Sequence, residues 1–524
     1  MMPSMRKLTA HLLLLLALFT ALALPALGEA NARELEYAYL KASHAYLVTG
    51  EEVTIAVVVP DATGLTFEFN LYYTPDREQA QTFQGIDRQK QSDQGTYRFT
   101  PGQPGQYLVE VSVYDAAFRS LKLQSEPLYC YEPQAREDET TLPGKVIAIA
   151  REAGAQQLDG DFEMALWLHD WLTHNAEYDE PMTIHTPEGV LLRGEGVCES
   201  YALAYRILLH EVGIDNLYVT GYSRGQLHAW NLVRLGEDWV WVDPTWNDPV
   251  GGEEGYDYFG LNDDLLARDH DWSSSIVKPP SAQSLAYNLL LREGAQPFQD
   301  EAGLDLLLHA ALGSQQPTLR YTYHGTDRHF DVHHSISQWM KQNSRLYFVD
   351  SYQDGGSRYA GQLSLTYQDM TGYTTFTDEA SFTAHMDQLL SGKPAQVKMA
   401  YVGEDQFFDF GRFARDWLAS NHRRHFISSY SYSYFPSSGE ITLEYRDMTG
   451  YTSFASQQEL DTLLAQALED RPERLQLYYT GPDESFRLNR LLDDWLQAQR
   501  GVVGAAGGTY GSFEAALELS WRAP

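Results

Sequence analysis

The feature that most constrains this chain is a piece of itself. LSLTYQDMTGYTTF at 363–376 returns as ITLEYRDMTGYTSF at 441–454, displaced by 78 residues. Phe330, Phe408 and Phe486 keep a step of 78, as do Trp339, Trp417 and Trp495, and Gly325, Gly403 and Gly481. A fixed period of this length marks a supersecondary unit used repeatedly. Each copy reads strand, helix, strand, helix, strand. In the second copy these are LSLTY, DEASFTAHMDQLL, AQVKMAYV, FGRFARDWLAS and RHFISSYSYSYF. Three two-layer α/β repeats of about 78 residues are therefore expected at 281–361, 362–438 and 439–524. Their Trp and Phe positions fall in the second helix region and read as core. Carbohydrate or peptide binding by the tyrosine-rich Ser429–Phe435 is the alternative.

The rest of the chain needs other domains. Its 524 residues exceed one hydrophobic core and suggest a multidomain α+β protein. Residues 33–133 contain EVTIAVVVP, LTFEFNLYY, GTYRFTP and GQYLVEVSVYD, short alternating or β-branched runs broken by Gly, Pro and Asp. They predict an immunoglobulin-like β-sandwich without an internal cysteine pair. Cys130, at its exit, reads as a small buried residue. The polar stretch 132–144 reads as a linker. A third region, 134–280, carries an amphipathic helix over 158–176, with Phe162, Ala165, Leu166, His169 and Leu172 on its apolar stripe.

Composition excludes several classes. Hydrophobic residues make up 43% and charged residues 21%, which rules out a wholly disordered or polytopic membrane chain. The net charge of -34 repels phosphate backbones, so nucleic-acid and anionic-membrane partners are not expected. Arg6 and Lys7 precede an apolar run from Leu12 to Leu24, followed by Pro25. That run is short for a membrane span and predicts a signal peptide over 1–28, hence a secreted or extracellular protein, with cell-surface association left open. No stable span is expected after cleavage; an uncleaved anchor is the alternative.

Three segments could do chemistry: RGEGVCESYALAYRILLHEVGI (193–214), GQLHAWNLVRL (225–235) and DWVWVDPTWND (238–248). The first is glycine-rich, then helical, which puts Cys198 at a helix N-terminus. There the free backbone N–H groups and helix dipole favour a thiolate. Gly194 and Gly196 leave room for a substrate backbone and let the Cys198 N–H face a developing oxyanion. In the second segment His228, Trp230 and Leu232 share one strand face; in the third, Trp239, Trp241 and Asp243 do. If Gly236-Glu237 forms the turn, Leu235 pairs with Asp238 and Asp243 lies diagonal to His228 on one side of the sheet. A slip of one residue would separate them. A buried packing cysteine and a structural His–Asp hydrogen bond are the competing readings.

At these residues the sequence resembles the transglutaminase-like superfamily, of papain-like fold. The likeness rests on Gly196-Val197-Cys198 with its Ala-containing helix, on His228-Ala229-Trp230-Asn231, and on Val242-Asp243-Pro244-Thr245-Trp246. Tyr178-Asp179 before the cysteine, and Tyr258-Phe259 and Asp269-His270 after the acid, also match members of that group. The resemblance covers about residues 145–275. It implies Cys198 as nucleophile, His228 as base and then acid, and Asp243 as orienter. It implies a thioester formed from a protein or peptide amide and resolved by water or by an amine. Tyr178 is the candidate second oxyanion donor, and Trp230 and Trp246 either wall the cleft or pack. No cofactor or required metal is expected; the carboxylates of 247–257 read as a solvated loop. The expected function is a secreted cysteine acyltransferase or peptidase. The alternative is a non-catalytic cell-wall or glycan-binding adhesion protein that keeps the fold.

Overall fold

A computed structural model describes residues 35–522 except 78–82, 253, 404 and 406. The expected signal segment lies outside the described residues. The architecture is multidomain α+β with several separate sheets. The described residues fall into two compact units. One runs to Ile336 and includes Gln353–Ser364; the other comprises Ser337–Tyr352 and the chain from Leu365 onward.

The first unit begins with nine strands: β1 (Tyr39–Ala42), β2 (Leu47–Val48), β3 (Val53–Val58), β4 (Thr66–Thr74), β5 (Gln84–Ser92), β6 (Thr96–Phe99), β7 (Gly105–Tyr114), β8 (Ser120–Gln124) and β9 (Leu128–Tyr131). They form two sheets, β1-β3-β6 and β2-β9-β7-β4-β5, with β8 also on β7. Alternate residues of both close one core: Leu40, Val53, Ile55 and Tyr97 from the first sheet meet Phe67, Phe69, Val109, Val111 and Cys130 from the second. The period-two pattern of β4 and β6 places those side chains on one face.

The stretch read as a linker is partly helical. Pro133–Glu137 makes a tight helical turn and α1 spans Leu142–Ala155. The Thr141 hydroxyl accepts the Gly144 N–H, and Pro143 sits in the first turn, a capping signal that the polar composition masked. Next come α2 (Asp161–His174), β10 (Glu177–Tyr178), β11 (Glu195–Gly196) and α3 (Cys198–Glu211). They lead to β12 (Asn216–Ser223), β13 (Gln226–Leu235), β14 (Asp238–Val242), β15 (Phe259–Leu261) and β16 (His270–Asp271). The sheet order is β15-β14-β13-β12-β16. Leu235 pairs with Asp238, the register that the tight turn requires. Ala229, Val233, Leu235, Val240 and Val242 pack with Ala202, Tyr205 and Leu209 of α3. His228, Trp230 and Trp241 are left to the other side of the strands.

Further along, Gln296–Phe298 pairs with Thr318–Tyr323, which pairs with the strand through Leu363 and Ser364. In the second unit, Thr374–Phe376, Gln396–Tyr401, Ser438–Tyr445 and Ile427–Tyr434 form a four-stranded sheet in that order. Thr452–Phe454, Arg474–Tyr479, Glu514–Trp521 and Val503–Tyr510 form another in the same order. LSLTY does not open a unit: Leu363 faces Leu319, as Ile441 faces Val397 and Leu517 faces Leu475. A period fixes the length of a unit but not its phase. The short TTF and TSF runs each pair parallel to the next strand. Phe408 and Trp417 belong to or pack against one core, and Phe486 and Trp495 against the other.

Candidate active site

Cys198 is the first residue of α3 and is half-buried. The N-cap, Val197, supplies no side-chain hydrogen bond, so the first-turn N–H groups stay available. The start of α3 is held from outside. Val197 N–H and Ser200 Oγ–H both donate to the Ile184 carbonyl, at 3.0 and 2.8 Å. Ile184 is aimed by Asp179, whose buried Oδ2 accepts the Thr183 N–H at 2.6 Å, the Thr183 hydroxyl at 3.0 Å and the Ile184 N–H at 2.8 Å. Asp179 is visible in the sequence as half of the Tyr178-Asp179 match, but this task is not. A carboxylate four residues before a Thr, in a proline-bounded loop, was its only signal.

His228 and Asp243 meet on the same side of the sheet, with Nε2 2.6 Å from Oδ2. Oδ1 of Asp243 accepts the backbone N–H groups of Thr245 and Trp246, at 3.0 and 3.2 Å. A second imidazole, His270, approaches Oδ2 with its Nε2 at 3.1 Å. Its Nδ1 lies 2.7 Å from Asp269 Oδ1, and the Tyr258 hydroxyl donates to Asp269 Oδ2 at 2.7 Å. The pairing of β16 with β12, Ser223 opposite His270, delivers this ring. Gly221 permits it, because a Cβ there would lie 2.1 Å from the Asp271 carbonyl and 2.9 Å from the Trp230 ring. Asp269-His270 was recognised by resemblance, not as part of the site. Nothing in strand period or turn length points to a residue 27 positions beyond Asp243.

The charges are coupled. Burial works against a cationic His228, but Asp243 and then Cys198, by charge and hydrogen bonding, push its pKa up to about 10. Burial likewise penalises the Asp243 carboxylate, yet His228 and His270 hold it well below the usual carboxylate range. With Nε2 engaged by Asp243, the ring nitrogen left for Cys198 is Nδ1. Burial, then the charges of Cys198, Asp179 and Asp243, push the Tyr178 phenol up to about 12, so it stays a donor.

The other expected residues are placed as follows. Tyr178 pairs with Gly196 between β10 and β11. Gly196 is buried, and a Cβ there would meet Ser200 Cβ at 2.5 Å and Val190 at 2.9 Å. Internal packing, rather than room for a substrate, demands this glycine. Trp230 is fully buried and stacks against His228, ring centroids 5.7 Å apart, so it packs beneath the imidazole. Trp246 is half-buried, 5.7 Å from His228 and 4.8 Å from His270, with the Arg224 guanidinium 4.1 Å above it. Cys130 is buried in the first core, and burial pushes its thiol up to about 12. In the 247–257 loop, Asp248 accepts the Tyr201 hydroxyl at 2.6 Å and Glu254 accepts that of Thr173 at 3.3 Å.

Among the described residues, His228, Asp243 and His270 gather three ligand-type atoms within 4.8 Å; the Cys198 sulfur is not part of that group. The spacing suits shared protons better than a metal. Tetrahedral zinc with ligands at about 2.0–2.1 Å keeps them roughly 3.3 Å apart, whereas His228 Nε2 and Asp243 Oδ2 are 2.6 Å apart.

Residues 148–244 match the model of the Transglutaminase-like superfamily. The middle of this chain carries a transglutaminase-like fold. The match ends one residue past Asp243, leaving His270 outside it. Part of the chain is 26% identical over 217 residues to human kyphoscoliosis peptidase, covering 35% of this chain and 32% of that protein. The mouse kyphoscoliosis peptidase is 27% identical over 167 residues, 28% and 24% of the two chains. The chain thus spans a third or less of the length of these curated relatives. A solved TGase aligns with 14% identity and a TM-score of 0.19, over 20% of this chain and 31% of that one. Among the described residues, no helix is long and apolar enough to cross a membrane.

Proposed function

We propose that the transglutaminase-like segment is a cysteine acyltransferase or peptidase acting on protein or peptide amides. The carrying observation is the 2.6 Å contact between His228 and Asp243, with Cys198, at a helix start, among the groups that raise the His228 pKa. In this reading Cys198 is the nucleophile, His228 the base and then acid, and Asp243 the orienter. The sulfur gives its proton to His228 and attacks the amide carbon. The C–S bond forms, the C–N bond breaks, and the proton on His228 leaves with the amine. Water or an amine then attacks the thioester, its proton returns through His228, and the C–S bond breaks. The Cys198 backbone N–H and the Tyr178 phenol are the proposed donors to the oxyanion. The peptidase name of the curated relatives favours hydrolysis over crosslinking.

The surrounding modules complete the proposal. The two sheets before residue 133 form an immunoglobulin-like sandwich, the catalytic domain spans about 134–280, and three α/β repeats of about 78 residues follow. The apolar run 12–24 makes the protein secreted, with the repeats as candidates for holding it to a surface. Cys198→Ala should abolish trapping of an acyl group by a thiol-directed amide probe while leaving circular dichroism unchanged. Equal trapping by both proteins would defeat the enzyme reading. Glycan or wall binding without any thioester would favour the adhesion alternative.

A further inference from the structure

Asp243 has more partners than aiming it requires. Its Oδ1 is fixed by two backbone N–H groups, yet its Oδ2 serves two imidazoles, at 2.6 and 3.1 Å. The second ring, His270, is buried and closely held: Asp269 fixes Nδ1, Tyr258 fixes Asp269, and Trp230 and Trp246 flank the ring at 4.9 and 4.8 Å. Two N–H groups on one carboxylate oxygen compete for the same charge. A general acid whose proton is held too tightly delivers it slowly.

The geometry points to His270 as a positioning residue for this reaction, one that shares Asp243 Oδ2 and so loosens the carboxylate's grip on the His228 proton needed by the leaving amine. This rests on the acyl-transfer reading above. The groups facing His228 are Asp243, His270 and Cys198, with Tyr178 close to Cys198 and Asp243. Those facing His270 are Asp243, Asp269, Tyr258 and His228, with Arg224 3.6 Å from Asp269. Replacing His270 by an apolar ring removes a donor and no negative charge, so the sign is fixed: His228 must keep its proton to higher pH.

The test uses the full chain, and its first arm needs no substrate. The rate of Cys198 alkylation by iodoacetamide is followed against pH, with Cys198→Ala as the blank, and its upper step reports loss of the His228 proton. His270→Phe keeps a ring among the aromatics and should move that step up by about one pH unit. Acyl transfer from an amide should fall roughly tenfold, while transfer from an activated ester, whose leaving group needs no proton, stays unchanged. His270→Gln, which restores an N–H donor, should bring both back towards wild type. An unmoved or lowered step in His270→Phe overturns the proposal. If that variant does not fold, His270→Ala with and without added imidazole gives the same reading: imidazole must lower the step, and no response overturns the proposal. Should wild type accept no acyl group at Cys198, the enzyme reading fails, while the alkylation step still decides the role of His270.

Discussion

Two histidine–aspartate pairs in the first unit invite comparison. His228 and Asp243 are 2.6 Å apart; His333 Nδ1 and Asp354 Oδ2 are 2.8 Å apart. In the second pair the other ring nitrogen meets the Ser357 carbonyl at 2.8 Å, and the carboxylate also accepts the Tyr321 hydroxyl at 2.6 Å. His333 is a closed bracket between a helix and a strand, with both nitrogens committed to structure. In the first pair, the nitrogen opposite the carboxylate is the one that the proposed reaction assigns to Cys198. Burial differs as well: Asp243 is fully enclosed, whereas the His333 side chain is about a third exposed. A histidine–carboxylate contact is thus no signature of chemistry; what the second nitrogen meets separates the two.

The sharpest way to break this comparison is to remove the same charge from each pair. Asp243→Asn should lower acyl transfer a thousandfold or more, roughly as for other orienting carboxylates. Asp354→Asn should leave the rate within about twofold, read as kcat/KM on a peptide amide. Comparable losses in both would erase the distinction. A smaller effect is expected in the pH dependence of stability. His228 has its pKa raised in the folded protein, so its contribution is complete below the ordinary histidine value near 6.5 and is lost as pH rises through about 10. Asp243 is shifted the opposite way, and its contribution is lost as pH falls below the ordinary carboxylate range. Thermal melting of wild type and Asp243→Asn should therefore differ most between these limits and converge beyond either. The smallest effect belongs to Tyr321→Phe. It removes one hydrogen bond to a carboxylate that keeps His333, so denaturant titration should register about 1–2 kcal/mol with acyl transfer unchanged.

Different parts of this molecule were legible in the sequence to different depths. The β13–β14 register could be read because a two-residue turn and a period of two leave one solution, and it brought His228 to Asp243. The start of α3 could be read from Gly196 and the apolar face that follows. His270 could not, because it arrives through a separate short strand whose place in the sheet depends on Gly221 and on packing around Trp230. The reason for Gly196 was also misjudged, since only the fold puts Ser200 and Val190 against it. In the repeats, the period was plain but the phase was not: LSLTY pairs backward, and pairing partners are not written in a repeat length.

The helix that presents Cys198 is moored at its far end to the N-terminal sheets. Arg206 forms a buried ion pair with Glu126, and its guanidinium also reaches the Ala45 carbonyl at 3.4 Å. One turn on, His210 lies 3.1 Å from the Ala42 carbonyl. Excising the sandwich would strand Arg206 without its counter-charge on a newly wetted flank. A truncation at residue 134 should therefore destabilise the transglutaminase-like fold, and the smallest fragment worth expressing starts at the first strand.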